Sequence, residues 1–292
     1  MPDSVTVRVP ATSANLGAGF DCLGMALDLW ASITLNPVRG EQRDEPMAHM
    51  ALTAANRLFE KLGRSPPEGL SAEYEGSIPI ARGLGASALA RVGGLVAANI
   101  LAGRPLDNEQ LLSIAADLEG HADNVAPALL GGLQVCAIEH GRVLHTPVAL
   151  PDGLSAVLFI PELRMSTKES RKLLPGSLSR ADAVHNASRA ALLVAAMGAR
   201  RFDLLDAATD DRLHQPARSQ MFPAMYDIFT AAKKAGAYCA YLSGGGSTIC
   251  ALASANEEAI AATMLECARG RNTPGETIIT RPTERGAEIV GS

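Results

Sequence analysis

The sequence predicts a mixed α and β protein of two units, and three observations carry that expectation. Short runs of alternating apolar and polar residues are interleaved, along the whole chain, with longer runs of helical periodicity. A Gly-rich turn at residues 78–87 runs straight into an Ala-rich apolar helix. The length, 292 residues, is about two domains at roughly 150 residues each. A turn at Pro151-Asp152-Gly153 coincides with a shift in composition, so the expected domains are residues 1–150 and 151–292.

Residues 5–9 alternate and predict a first strand. Residues 10–21 are small and read as a loop, and residues 30–35 as a second strand. Residues 37–46 are polar and turn-rich, a surface connection. Residues 48–62 have helical spacing and stop at Gly63. A strand at 70–74 precedes the Gly-rich turn. Helices follow at 88–101, stopping at Gly103, and at 108–118. A polar segment at 119–124 leads into a short helix at 125–130, and Gly131-Gly132 into a strand at 133–138. In the second half, strands are expected at 156–160, 237–242, 249–253 and 276–281. Helices are expected at 181–197, 222–235 and 257–269, with a Gly-rich turn at 243–248. There is no internal repeat, low-complexity tract or heptad run.

Hydrophobic residues make up 47% and charged residues 20%, so the chain can bury a full core. The net charge of −5 argues against a general nucleic-acid binder, which needs a basic footprint. Five cysteines, an odd number with no CxxC, read as core thiols of a reducing compartment. The start, Met1-Pro2-Asp3-Ser4, has no basic region followed by an apolar one. No stretch approaches the ~18–20 apolar residues of a membrane helix. A cytoplasmic protein with no membrane partner is therefore expected.

Four segments carry chemistry. Gly83-Leu84-Gly85-Ala86-Ser87 before a helix can bring backbone amides and positive helix potential to an anion. It can equally be a tight turn capped by Ser87. It is no Walker A loop, since Gly-Lys is absent, and no dinucleotide fingerprint, since the third glycine is missing. With only five lysines in the chain, bound phosphates must rely on amides, Ser87 and arginine. Arg82 can add charge there or simply be solvated. Asn15, Gly17, Gly19 and Asp21 supply oriented polar groups in one loop, or form an Asx-rich turn. Glu119, His121, Asp123 and Asn124 fall within six residues. Capping by Asp123 or Asn124 explains part of that density, and Glu119 suits magnesium beside a phosphate better than any zinc set. Ser243-Gly244-Gly245-Gly246-Ser247-Thr248 is either a hairpin turn or the backbone wall of a pocket.

Taken together and in this order, the segments resemble the homoserine kinases of the GHMP kinase superfamily. The run from Pro10 to Gly24 resembles that family's first motif, and Pro79 to Ala88 its ATP loop. Glu119-Gly120-His121-Ala122-Asp123-Asn124-Val125-Ala126-Pro127 is similar to the homoserine kinase form rather than the sugar or mevalonate forms. Ser166-Thr167 through Arg171, and His214 through Arg218, match further family segments. Two departures stand out. Ala86 replaces a usual serine, and Gly245-Gly246-Ser247-Thr248 replaces Ala-Gly-Pro-Ser. Function should survive both, because Ser87 remains and the second loop works through its backbone.

The resemblance implies an α+β GHMP kinase fold, with an N-terminal domain like ribosomal protein S5 domain 2 and a ferredoxin-like C-terminal domain. It implies ATP-dependent phosphorylation of L-homoserine, a step of threonine biosynthesis, and leaves room for a homodimer. Pro79, Ile80, Ala81, Arg82, Gly83, Leu84, Gly85, Ala86, Ser87 and Ala88 would bind ATP. Ser87 and Glu119 would hold Mg2+. Asn15, Asp21, His121, Asn124, Thr167, Arg171, Arg218 and Gly244 would line the substrate site, with Asp21 on the ammonium and the two arginines on the carboxylate. Asn124 aligns with the catalytic Asp of sugar and mevalonate relatives, and an amide is no base, so direct attack by the hydroxyl is implied. Another small-molecule GHMP kinase, or a noncatalytic ATP-binding protein of the same fold, are the alternatives.

Overall fold

The structure, a computed structural model, describes residues 3–37 and 45–291. Most of the expected connection at 37–46 lies outside the described residues. Strand β1 (Val5–Ala14) pairs antiparallel with β2 (Leu23–Asn36), from Val5 opposite Leu35 to Ala14 opposite Gly24. Both strands are longer than the sequence pattern suggests. Residues 10–14 were expected as loop, and they continue the strand. Pro10 cannot donate to a ladder, but it sits where the register shifts, so no ladder bond is lost. Beyond it every residue to Ala14 is buried, which erases the alternation that marks a strand.

Helix α1 (Pro46–Lys61) packs on α2 (Ala86–Leu101), with β3 (Ser71–Glu75) between them in sequence and paired with β2. Gly94 lets the two helices close up: a Cβ there would lie 2.2 Å from the Ala51 carbonyl oxygen. Helix α3 (Asn108–Glu119) opens on a reciprocal capping box between Asp107 and Gln110, and turns off at Gly120. After α4 (Val125–Leu130) comes the hairpin β4 (Leu133–Glu139) and β5 (Arg142–Val148). Sequence pattern gives no sign of β5, an edge strand with a proline and mostly exposed residues.

The second sheet starts at β6 (Ser155–Pro161), followed by α5 (Thr167–Lys172) and the long α6 (Arg180–Gly198). A 3-10 turn at Phe202–Leu204 leads to α7 (Leu205–Ala208), α8 (Gln215–Arg218) and α9 (Met225–Lys234). Then come β7 (Cys239–Leu242), β8 (Ile249–Ala253), α10 (Glu257–Gly270), β9 (Gly275–Thr280) and β10 (Glu288–Gly291). Its strand order is β7-β8-β6-β9, all antiparallel, which is the ferredoxin-like arrangement. Helices α9 and α10 cover one face, burying Phe159, Phe222, Ile228, Ile249 and Met264.

The first sheet reads β10-β1-β2-β4-β5 with β3 also on β2. Strand β10 thus returns from the end of the chain to flank the first strand. Cys136, Cys239 and Cys250 are buried and all five cysteines are free thiols. No helix among the described residues is long and apolar enough to cross a membrane.

Candidate active site

Three loops from different parts of the chain meet where β1 ends. Thr12 N–H donates to the Leu84 carbonyl, Gly244 N–H to Ala14, and Thr248 N–H to Arg82. They enclose a cleft of about 180 Å³. Every residue from Pro79 to Ser87 lines it, together with Asn15, Asp21, Glu119, His121, Asn124, Thr167, Arg171, Arg218 and Gly244. Of the residues the sequence nominated, Ala88 alone turns away, its side chain fully buried.

The Gly-rich loop ends in the first turn of α2, with Gly85 as N-cap in the left-handed region at φ 67°. No side chain caps this end, so its amides are left to the cleft. Ser87 is therefore not the cap. Its hydroxyl donates to Glu119 Oε1 at 2.5 Å. Glu119 closes α3, and its other oxygen pairs with Arg91. Arg91 lies one helical turn beyond Ser87, so one face of α2 grips both oxygens of one carboxylate. Sequence reading missed Arg91, although its spacing from Ser87 was visible.

Gly85 also fits where no side chain can. A Cβ there would lie 1.9 Å from Thr12 Oγ1, which donates to Asn124 Oδ1 at 2.8 Å. Left-handed backbone costs a non-glycine residue about 1–2 kcal/mol, before Thr12 is displaced. Gly85→Ala is expected to lower Tm by roughly 2–8 °C at 2–4 °C per kcal/mol. A thermal melt within a degree of wild type would contradict this.

Asn124 occupies the N-cap position of α4, but neither its side chain nor that of Asp123 is seen capping the helix. Asn124 already has helical backbone angles and makes no capping bond. Its amide spans from Thr12 to Asp123 Oδ1, 3.2 Å away. The same carboxylate oxygen lies 2.5 Å from His121 Nδ1, so that nitrogen carries the proton. Asp123 is buried and lines the cleft; the sequence analysis placed it in a chemistry-bearing segment but offered it no role beyond capping. Asp21, His121 and Asp123 are close enough to hold a cation. Their facing atoms, however, are engaged by one another and by Arg171.

Arg82 lines the cleft and is not simply a solvated surface group. Its Nε and Nη2 donate to the carbonyls of Pro161 and Glu162, tying the Gly-rich loop to the end of β6.

On the opposite wall, the loop after β1 is tightly coiled, with Asn15 at φ 69°, Leu16 at 44° and Asp21 at 59°. Asn15 fastens it by accepting from Asp21 N–H and donating to the Gly244 carbonyl. Asp21 meets Arg171 of α5 in a two-pronged ion pair, at 2.9 and 2.5 Å. The two residues expected to take opposite ends of a substrate hold one another here. Burial disfavours the Arg171 cation, but its bonds to Asp21 outweigh that and raise its pKa. Ser166 caps α5 by accepting from Glu169 N–H, which sets Thr167 at the mouth of the cleft.

Arg218 is 1% exposed, the largest fully buried side chain among the described residues. Its Nη1 donates to His214 Nδ1 and to the Gly244 carbonyl, both neutral, and its Nε has no partner among the described residues. Burial, with Arg171 nearby, pulls its pKa down to about 10. Phe20 stands beside both guanidiniums, 5.2 Å from Arg171 and 5.5 Å from Arg218. A buried cation with an unsatisfied donor is costly unless an anion meets it.

One end of the cleft thus presents an uncapped helix start, which suits phosphates, and the other presents two guanidiniums beside a carboxylate, which suit a small molecule with charged ends. This is the layout of a small-molecule kinase. The matching family models are the GHMP kinases N terminal domain, over residues 49–132, and the GHMP kinases C terminal domain, over residues 193–272. A homoserine kinase of Carboxydothermus hydrogenoformans is 41% identical over 97% of this chain and 96% of its own. One of Moorella thermoacetica is 40% identical over 97% and 99%. The crystal structure of homoserine kinase from Cytophaga hutchinsonii superposes with TM-score 0.88 at 28% identity, over 99% of this chain and 98% of that one. The chain belongs to the homoserine kinase family of the GHMP kinases.

Proposed function

We propose that this enzyme transfers the terminal phosphoryl group of ATP to the side-chain hydroxyl of L-homoserine. The products are ADP and O-phospho-L-homoserine, an intermediate on the way to threonine. The observation that carries the reading is the charged end of the cleft: Asp21, Arg171 and Arg218 around Phe20, across from the Gly-rich loop. An amino acid brings a carboxylate and an ammonium. Its carboxylate suits the two guanidiniums, and its ammonium suits Asp21, so it replaces the Asp21–Arg171 pair charge for charge.

The amides of residues 83–87 and the start of α2 would cradle the phosphates. Ser87 Oγ and Glu119 Oε1 form a pair of hard oxygen donors at the edge of that cradle, which fits Mg2+. The ion would neutralise phosphate charge as the bond to ADP breaks. Asn124 has its amide fixed from both sides and can orient the hydroxyl but not take its proton. Such transfer depends mainly on position and charge neutralisation, so a strong protein base is not required. In this reading residues 1–150 form the ATP-binding domain and 151–292 the C-terminal domain, and the enzyme works in the cytoplasm.

A coupled ADP-release assay with homoserine, threonine, serine and mevalonate tests the reading. Homoserine is expected to be turned over fastest. Turnover of mevalonate with none of homoserine would overturn it.

A further inference from the structure

We propose that His214 is a positioning residue for the substrate, its imidazole setting the Arg218 guanidinium in the site. The inference rests on the reading of that site as the homoserine carboxylate pocket. His214 is fully buried and uses both ring nitrogens. Nε2 lies 2.8 Å from the Gly17 carbonyl oxygen, which can only accept, so Nε2 carries the hydrogen. Nδ1 is then a lone pair, and Arg218 Nη1, 2.9 Å away, donates to it. Only this neutral tautomer serves both neighbours. A protonated ring would set an N–H against the guanidinium. Burial keeps the ring neutral, pulling its pKa down to about 4.

The ring is itself held from behind. Asp211 accepts from the backbone N–H of His214 and of Gln215, which fixes the turn that opens α8. In front, the Gly244 carbonyl accepts from the same Nη1 of Arg218. His214 and Gly244 therefore pin one corner of the guanidinium, and the fork's remaining donors are left for an anion. On its other side His214 grips the loop that carries Phe20 and Asp21. One ring thus ties the cation to the loop bearing the opposite charge.

His214→Leu and His214→Gln are expected to raise KM for homoserine about 5–20-fold, less than the loss of a direct charged contact because the lost bond only positions the guanidinium, with KM for ATP within about twofold. His214→Asn places an oxygen near the position of Nδ1 and should recover most of that loss. In an Arg218→Ala background, His214→Leu should leave homoserine KM unchanged within about twofold, because the partner it positions is gone. A merely structural role would instead multiply the loss equally in both backgrounds. Steady-state kinetics with thermal melts on these variants decide it. Wild-type homoserine KM in folded His214→Leu, or equal losses in both backgrounds, overturns the proposal. Should the leucine variant not fold, equal KM values for the Asn and Gln variants overturn it. A wild-type enzyme that does not use homoserine fails the functional reading, whereas an active one with unaffected variants fails this inference alone.

Discussion

Glu119→Gln is expected to lower turnover by a factor of about 10² or more, the loss of roughly 3 kcal/mol of transition-state stabilisation. The substitution keeps shape and removes charge. Ser87 retains an oxygen to donate to, at the position it now holds 2.5 Å away. Arg91, which pairs with the other oxygen, is left facing an amide. Two effects therefore add. A metal-nucleotide would lose a carboxylate donor beside the Gly-rich loop, and a half-buried guanidinium loses the anion that balanced it. The loss should fall mainly on kcat and on the magnesium dependence of ATP use, with homoserine KM little changed. Steady-state kinetics at several magnesium concentrations, with a melt to establish folding, make the check. Near-normal turnover in a folded variant removes Glu119 from the metal-nucleotide site.

Arg218→Ala is expected to raise KM for homoserine by a factor of roughly 10–150, the equivalent of about 1.5–3 kcal/mol for a bidentate charged contact. KM for ATP should hardly move. The size follows from burial: Arg218 is 1% exposed, so its field is not screened by water. Arg171, about a third exposed and already bound to Asp21, should matter less. Arg218→Lys should recover little, because an ammonium cannot both donate to His214 and Gly244 and offer a fork. An Arg218→Ala enzyme that binds ATP more weakly and homoserine normally would assign this arginine to the nucleotide side.

The sequence made the Gly-rich end of the cleft legible because its parts are consecutive. Gly83 to Ser87 and the helix behind them form one local unit, as do Glu119 to Asn124. Pairings made by the fold were not legible. Asp21 and Arg171 meet across 150 residues of chain, so charge logic could assign each to a ligand but not to the other. Arg82 could be placed beside the glycines from sequence, but its bonds to two carbonyls at the end of β6 could not be foreseen. Asp123 and Asn124 looked like caps because they precede a helix; the distant Thr12 claims the Asn124 side chain instead, and Asp123 turns to its neighbours His121 and Asn124. Among the elements, those with clear periodicity were found nearly to the residue, as at β8 and α4. Strands β5 and β10 were missed because they are short, exposed edges whose pairing is decided by the sheet they join.

The most direct test of the central claim is mass-spectrometric identification of the product formed by the wild-type enzyme from ATP and L-homoserine, with ADP measured in the same reaction. The account predicts O-phospho-L-homoserine accumulating in step with ADP. ADP release with unmodified homoserine, or phosphorylation of mevalonate or a sugar while homoserine is left untouched, would contradict it.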